Sequence, residues 1–180
     1  VGVLRQRGHM VHGFVLTEHR QFNHDIDYSQ LSSETGLVIL KGAELDTDCG
    51  HFLVYGVSRA LTSSINFSDV NLSAESLIKK CDELEAIAIP AHPGRSGIGF
   101  ATYLESGRTG FDTIRIVEGL NASNRPGEGE KAMDLIANTE TEVRNLLDPH
   151  IFAIDDETME DAVGILLNKN KSSVAVYEDI

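Results

Sequence analysis

The sequence has no tryptophan, two cysteines and four prolines in 180 residues, and each shortage removes a class of protein. Cys49 and Cys81 follow no C-x-x-C or ladder pattern, so a disulfide scaffold is excluded. A chain of this length buries roughly 70% of its unfolded surface and folds without such staples. Sixteen glycines without a three-residue period exclude a collagen-like chain, and 41% apolar with 24% charged residues exclude a disordered one. Apolar runs such as 86–91 are short and end at proline or a charge, far from the ~20 residues a membrane-spanning helix needs.

Basic residues are also scarce. Fifteen Lys and Arg stand against 28 Asp and Glu, a net charge of −13, whose field repels phosphate backbones and anionic lipid surfaces. The expectation is therefore no general nucleic-acid binding and no membrane contact. The same acidity equally suits a solvated surface or carboxylates that hold divalent cations together with some of the seven histidines. The cysteine usage, with no signal-peptide pattern ahead of it, suits a reducing, cytoplasmic setting. The chain opens on Val1 rather than Met, so it is expected to begin inside a longer gene product.

No repeat or long linker divides the sequence, and one domain over 1–180 is expected. β-branched and aliphatic runs predict strands at 13–17, 37–42, 51–57, 86–89, 113–117 and 173–177. Between them, 73–84 carries Leu77, Ile78, Cys81 and Leu84 as a helical stripe behind a Ser cap. Helices are also expected over 99–105, 128–137 and 157–167. This alternation predicts an α/β fold with a largely parallel sheet, open or closed into a barrel. The stretch 45–50 is too short for a helical crossover and reads as a hairpin loop.

In such sheets, ligands gather beyond the carboxyl ends of the strands. There the sequence places Glu18 and His19, then Glu44, then Pro90, Ala91 and His92, then Glu118 and Asn121. The hairpin carries the chain from Glu44 back to His51, so His19, Glu44, His51 and His92 converge on one rim. Any one of these is more often an ordinary loop or core residue; their shared position gives the set its weight. Imidazoles and a carboxylate without a thiolate suit Zn²⁺, Mn²⁺ or Fe²⁺. Two His and one Glu leave a coordination position open for water, whose pKa a metal lowers from about 15.7 to about 7. Hydrolysis is the expected chemistry.

The residues that carry this pattern resemble the polymerase and histidinol phosphatase (PHP) family of metal-dependent phosphoesterases. Phe14-Val15-Leu16-Thr17-Glu18-His19 is similar to that family's strand ending in Thr-Asp-His, and Lys41-Gly42-Ala43-Glu44 to its Gly-x-Glu strand end. Gly50-His51-Phe52-Leu53-Val54 resembles its Gly-His-hydrophobic strand, Ala91-His92-Pro93 its Ala-His-Pro turn, and Val117-Glu118-Gly119-Leu120-Asn121 its Val-Glu-x-x-Asn strand. The likeness covers about residues 7–137. It implies a distorted (β/α)7 barrel, TIM-barrel-like, with up to three divalent ions (Zn, Mn or Fe) and at least one. Glu44, His51 and His92 would share one ion, Glu44 would bridge to a neighbour, and His19 would serve another. Glu18 stands in place of the usual Asp, orienting its surroundings.

The chain departs from the pattern at both ends of the expected barrel. No His-x-His strand opens it, since His9 and His12 are spaced for a helix face. The closing Gly-Ser-Asp-x-His is represented only by Asp148-Pro149-His150 without the Gly-Ser. The barrel is thus expected to be incomplete at its first strand and near its last metal-binding motif. Arg95, in Pro93-Gly94-Arg95-Ser96-Gly97, is a candidate for holding a substrate phosphate through its forked donors. No Walker loop and no Gly-x-Ser-x-Gly elbow is present. The resulting expectation is a metal-dependent phosphoesterase acting on a small phosphorylated substrate. The alternative is a catalytically silent PHP-like domain serving as a binding or structural module, and the sequence leaves the oligomeric state open.

Overall fold

Alternating residues set the two faces of the central sheet, which carries the candidate ligands His19, Glu44 and His51. A computed structural model describes residues 11–109, 114, 116–119, 121 and 123–143. In chain order these form β1 (Gly13–His19), α1 (Ser29–Thr35), β2 (Val38–Thr47), β3 (Gly50–Tyr55), α2 (Arg59–Ser64), α3 (Ala74–Glu83), β4 (Ile87–Pro90), α4 (Phe100–Glu105) and α5 (Glu128–Val143). The strand order is β1-β2-β3-β4. β1 and β2 are parallel, while β3 is antiparallel to both β2 and β4.

Two expectations are corrected here. The sheet is mixed rather than largely parallel, and it is open: among the described residues four strands and five helices form a small α/β domain, not a distorted (β/α)7 barrel. The first difference follows from the turn between β2 and β3. Thr47 Oγ1 donates to the Gly50 carbonyl and accepts from the Cys49 N–H, closing a connection so short that only an antiparallel return is possible. Gly50 has φ +94°, and a Cβ there would stand 2.4 Å from the Ile98 carbonyl oxygen. No other residue type fits this turn without strain. As for closure, β1 and β4 end the sheet and do not pair with each other. The expected strand 113–117 is not formed at 114, 116 and 117, although the Glu118 N–H donates to the Pro90 carbonyl at 3.3 Å and ties this segment to β4. The expected strand 173–177, the helix 157–167, His9 and the Asp148–His150 pair lie outside the described residues.

One sheet face is dry. Ala43, Leu45, Phe52 and Val54 project from β2 and β3 onto Leu61 of α2, Leu77, Ile78 and Cys81 of α3, and Phe100 of α4. The Phe52 and Phe100 rings meet edge to face, with centroids 5.7 Å apart. α3 lies where its apolar stripe predicts: Ser73 caps it by accepting the Ser76 N–H, and the buried side is Ala74, Leu77, Ile78 and Cys81. Burial in this core pushes the Cys81 thiol up to about 12, which keeps it unreactive.

Two helices escape the periodicity argument for physical reasons. α1 buries none of its residues and so has no apolar stripe to read. α2 is six residues long and rests on the Ser58 cap and the single buried Leu61. Among the described residues no helix is long and apolar enough to cross a membrane.

Candidate metal centre

The opposite sheet face carries the polar residues, and strand direction decides where they meet. β1, β2 and β4 run one way and β3 the other, so the ends of the first three and the start of β3 share one rim. His19 closes β1 directly beside Glu44 of β2. His51 opens β3 opposite Asp46, and His92 follows β4 by two residues.

Glu44 is the centre of this group. It is 1% exposed, and its two carboxylate oxygens face different partners. Oε1 lies 2.7 Å from His51 Nδ1 and 3.3 Å from His92 Nε2. Oε2 lies 3.4 Å from Nε2 of the largely exposed His19. Burial would raise the Glu44 carboxyl, but hydrogen bonds from His51 and His92 and the fields of His19 and His51 outweigh it and hold it at about 2. A buried anion surrounded by imidazoles is the result.

Donor atoms of Glu44, His51 and His92 all lie within 4.8 Å of one another. The set contains nitrogen and carboxylate oxygen without sulfur, which suits Zn²⁺, Mn²⁺ or Fe²⁺. His92 is 1% exposed, and its Nδ1 has no hydrogen-bond partner. Protein interiors seldom leave such an orphan; the other ring nitrogen, Nε2, is the one that faces Glu44.

The backbone around His92 is built for this position. Its φ is +31°, unusual for a residue with a side chain. Its N–H donates to Glu118 Oε2, and Glu118 Oε1 accepts from Asn121 Nδ2 at 3.0 Å. Burial pushes the Glu118 carboxyl up to about 7, and the nearby Glu44 charge adds to this, against the hydrogen bonds and Arg95. A carboxyl whose folded pKa is raised from 4.5 to about 7 favours the folded state fully below pH 4.5 and loses that contribution as pH rises through 7. Glu118→Gln cannot ionise and is expected to remove this pH dependence, so that the stability of the metal-free variant relative to wild type rises between pH 5 and pH 8. Urea unfolding at pH 5 and pH 8 checks this; an equal effect at both would refute it.

The other sequence candidates fall in two groups. Arg95 donates to Asn121 Oδ1 at 3.4 Å and Ser123 Oγ at 2.6 Å, beside the Glu118 that supports His92. Glu18 is exposed and pairs in register with Ala43, so it stands on the opposite sheet face from His19 and Glu44. His12 precedes β1, at the far end of that strand from the cluster. Sequence reasoning missed Asp46, whose Oδ1 is 3.6 Å from His51 Nε2. Its signal was the i, i+2 spacing from Glu44 on one strand, which places both carboxylates on one face.

No protein-family model matches the chain. A protein of Thermoanaerobacter pseudethanolicus, described as competence-damage inducible, is 32% identical over 69 residues. That match takes in 38% of this chain and 15% of that protein. Two solved structures are similar at 18% identity. The lesion-specific endonuclease PfuEndoQ from Pyrococcus furiosus matches with a TM-score of 0.38 over 47% of this chain and 25% of its own. An Endonuclease Q complex with a 27-mer duplex bearing an abasic lesion at the active site gives 0.42, over 51% and 27%.

Against that duplex-bound structure the expectation of a small phosphorylated substrate without nucleic-acid binding is withdrawn. The physical reason is that a net charge of −13 averages over the whole chain. It does not describe the rim, where Arg20 and Arg95 flank the acidic and histidine residues.

Proposed function

We propose that the chain is a metal-dependent hydrolase of phosphate ester bonds, of the PHP type that its strand-end motifs resemble. The observation that carries this reading is the meeting of Glu44 of β2, His51 of β3 and His92 from the turn after β4, with donor atoms within 4.8 Å. These three would hold one divalent ion. Glu44 offers its second oxygen toward His19, the arrangement a bridging carboxylate needs. When bound, the ion supplies an acidified water and stabilises charge on the attacked phosphoryl group. Glu118 fixes the His92 backbone, and Arg95, whose Nη2 donates to Ser123 and Asn121, would hold a phosphoryl oxygen through its other N–H groups.

The test is hydrolysis of bis(p-nitrophenyl) phosphate and of single- and double-stranded oligonucleotides by protein loaded with Mn²⁺, Zn²⁺ or Fe²⁺. Metal-dependent cleavage that His51→Ala abolishes in a folded variant is expected; a rate unchanged by that substitution would refute the reading. A metal-holding module without turnover is the second reading. It is favoured by the fact that, among the described residues, one three-ligand group forms rather than several. Tight metal binding without cleavage of any of these substrates would select it.

A further inference from the structure

The His51 ring lies between two carboxylates of one strand. Glu44 and Asp46 occupy alternate positions on β2 and therefore share a face, and Asp46 is the direct cross-strand partner of His51. Glu44 Oε1 approaches Nδ1 at 2.7 Å, while Asp46 Oδ1 faces Nε2 at 3.6 Å. The other Asp46 oxygen faces Arg20 Nη1 at 3.8 Å. The Arg20 backbone is fixed, since its N–H donates to the Glu44 carbonyl at 2.7 Å in a conformation with φ +57°.

We propose that Asp46 is a positioning residue for His51. With an ion bound, the Asp46 carboxylate, 3.6 Å from Nε2, would keep the His51 proton on that nitrogen, so that Nδ1, which otherwise donates to Glu44, is left to the ion shared with Glu44 and His92. An imidazole that ligates through Nδ1 must carry its proton on Nε2, and a carboxylate there fixes both the tautomer and the ring orientation. Arg20 Nη1 pairs with the second carboxylate oxygen at 3.8 Å, on the side away from His51. The proposal rests on the metal reading above, and it adds a residue that the resemblance does not supply.

The experiment measures zinc affinity by competition with a chromophoric chelator for wild type, Asp46→Ala and Asp46→Asn. In parallel, ¹⁵N-histidine spectra of the zinc-loaded proteins report which His51 nitrogen is protonated. The expected result is an affinity about 10–100-fold weaker in Asp46→Ala. Asp46→Asn keeps an oxygen acceptor and is expected to recover most of it. The wild-type spectrum should show His51 protonated at Nε2, with that proton exchanging faster in Asp46→Ala. Unchanged zinc affinity in Asp46→Ala overturns the proposal while leaving the metal reading intact. An equal loss in Asn and Ala variants also overturns it, because Asp46 is then itself a ligand. Wild-type protein that takes up no zinc overturns both.

Discussion

Glu44→Gln is expected to weaken divalent-ion binding by at least about 100-fold, a larger loss than removing a supporting residue causes. The substitution keeps the shape and removes the charge. Glu44 is the one anionic donor of the three-residue group, and both of its oxygens are engaged, by His51 and His92 on one side and His19 on the other. A neutral amide cannot offset the charge of the ion at a carboxylate position that is itself buried. In the metal-free protein the variant also exchanges two charge-assisted hydrogen bonds for ordinary ones, at a cost of about 1–3 kcal/mol. Chelator competition measures the first effect and urea unfolding the second. A variant that binds as tightly as wild type would place the ion elsewhere.

Gly94→Ala is expected to cost about 3 kcal/mol, the upper end of overpacking effects. In a protein of this size that corresponds to a loss of roughly 6–12 °C in Tm. Gly94 follows the His92-Pro93 turn, where the loop passes directly under the first turn of α5. A Cβ at this position would stand 1.9 Å from the Glu128 carbonyl oxygen and 2.8 Å from the Ala132 nitrogen. Both are backbone atoms of a helix and cannot swing aside as a side chain can. The helix would have to move away, pulling on the contacts that seat it: Glu128 accepting the Ser96 and Arg125 N–H groups, and Lys131 paired with Glu105 at 2.9 Å. Gly129→Ala is the control. It lies in the same helix with nothing within 4 Å of its Cβ position, and helix propensity makes it neutral or stabilising by up to about 1 kcal/mol. Thermal denaturation of the two variants distinguishes the clash between loop and helix from a general effect of exchanging glycine for alanine; equal stabilities would show that the loop and helix do not pack this closely.

The sequence was most legible where pattern and chemistry coincide. The strands leading to His19, Glu44 and His92, and the hairpin that returns the chain to His51, follow from short β-branched runs and a turn too brief for a crossover, although β1 and β2 run past the expected ends at 17 and 42 and take in His19 and Glu44. The α3 stripe was equally plain, because Leu77, Ile78 and Cys81 all turn into one core. Direction and closure were not legible. Whether a sheet closes depends on how its terminal strands meet, and nothing in β1 or β4 alone encodes that. The side of a strand on which a residue falls is fixed by register. That is why Glu18, adjacent to His19, faces away from the cluster, whereas Asp46, two residues from Glu44, faces into it. The support that Glu118 gives the His92 backbone spans 26 residues and depends on burial, which no local spacing reports.

The most direct test of the metal centre is X-ray absorption at the zinc edge on protein loaded with zinc and then desalted, with the ion content measured on the same sample. One ion per chain in a shell of nitrogen and oxygen neighbours, with imidazole scattering that falls when His51 is replaced, is the predicted result. Protein that retains no zinc, or that gives the same spectrum with His51 replaced, would contradict the account.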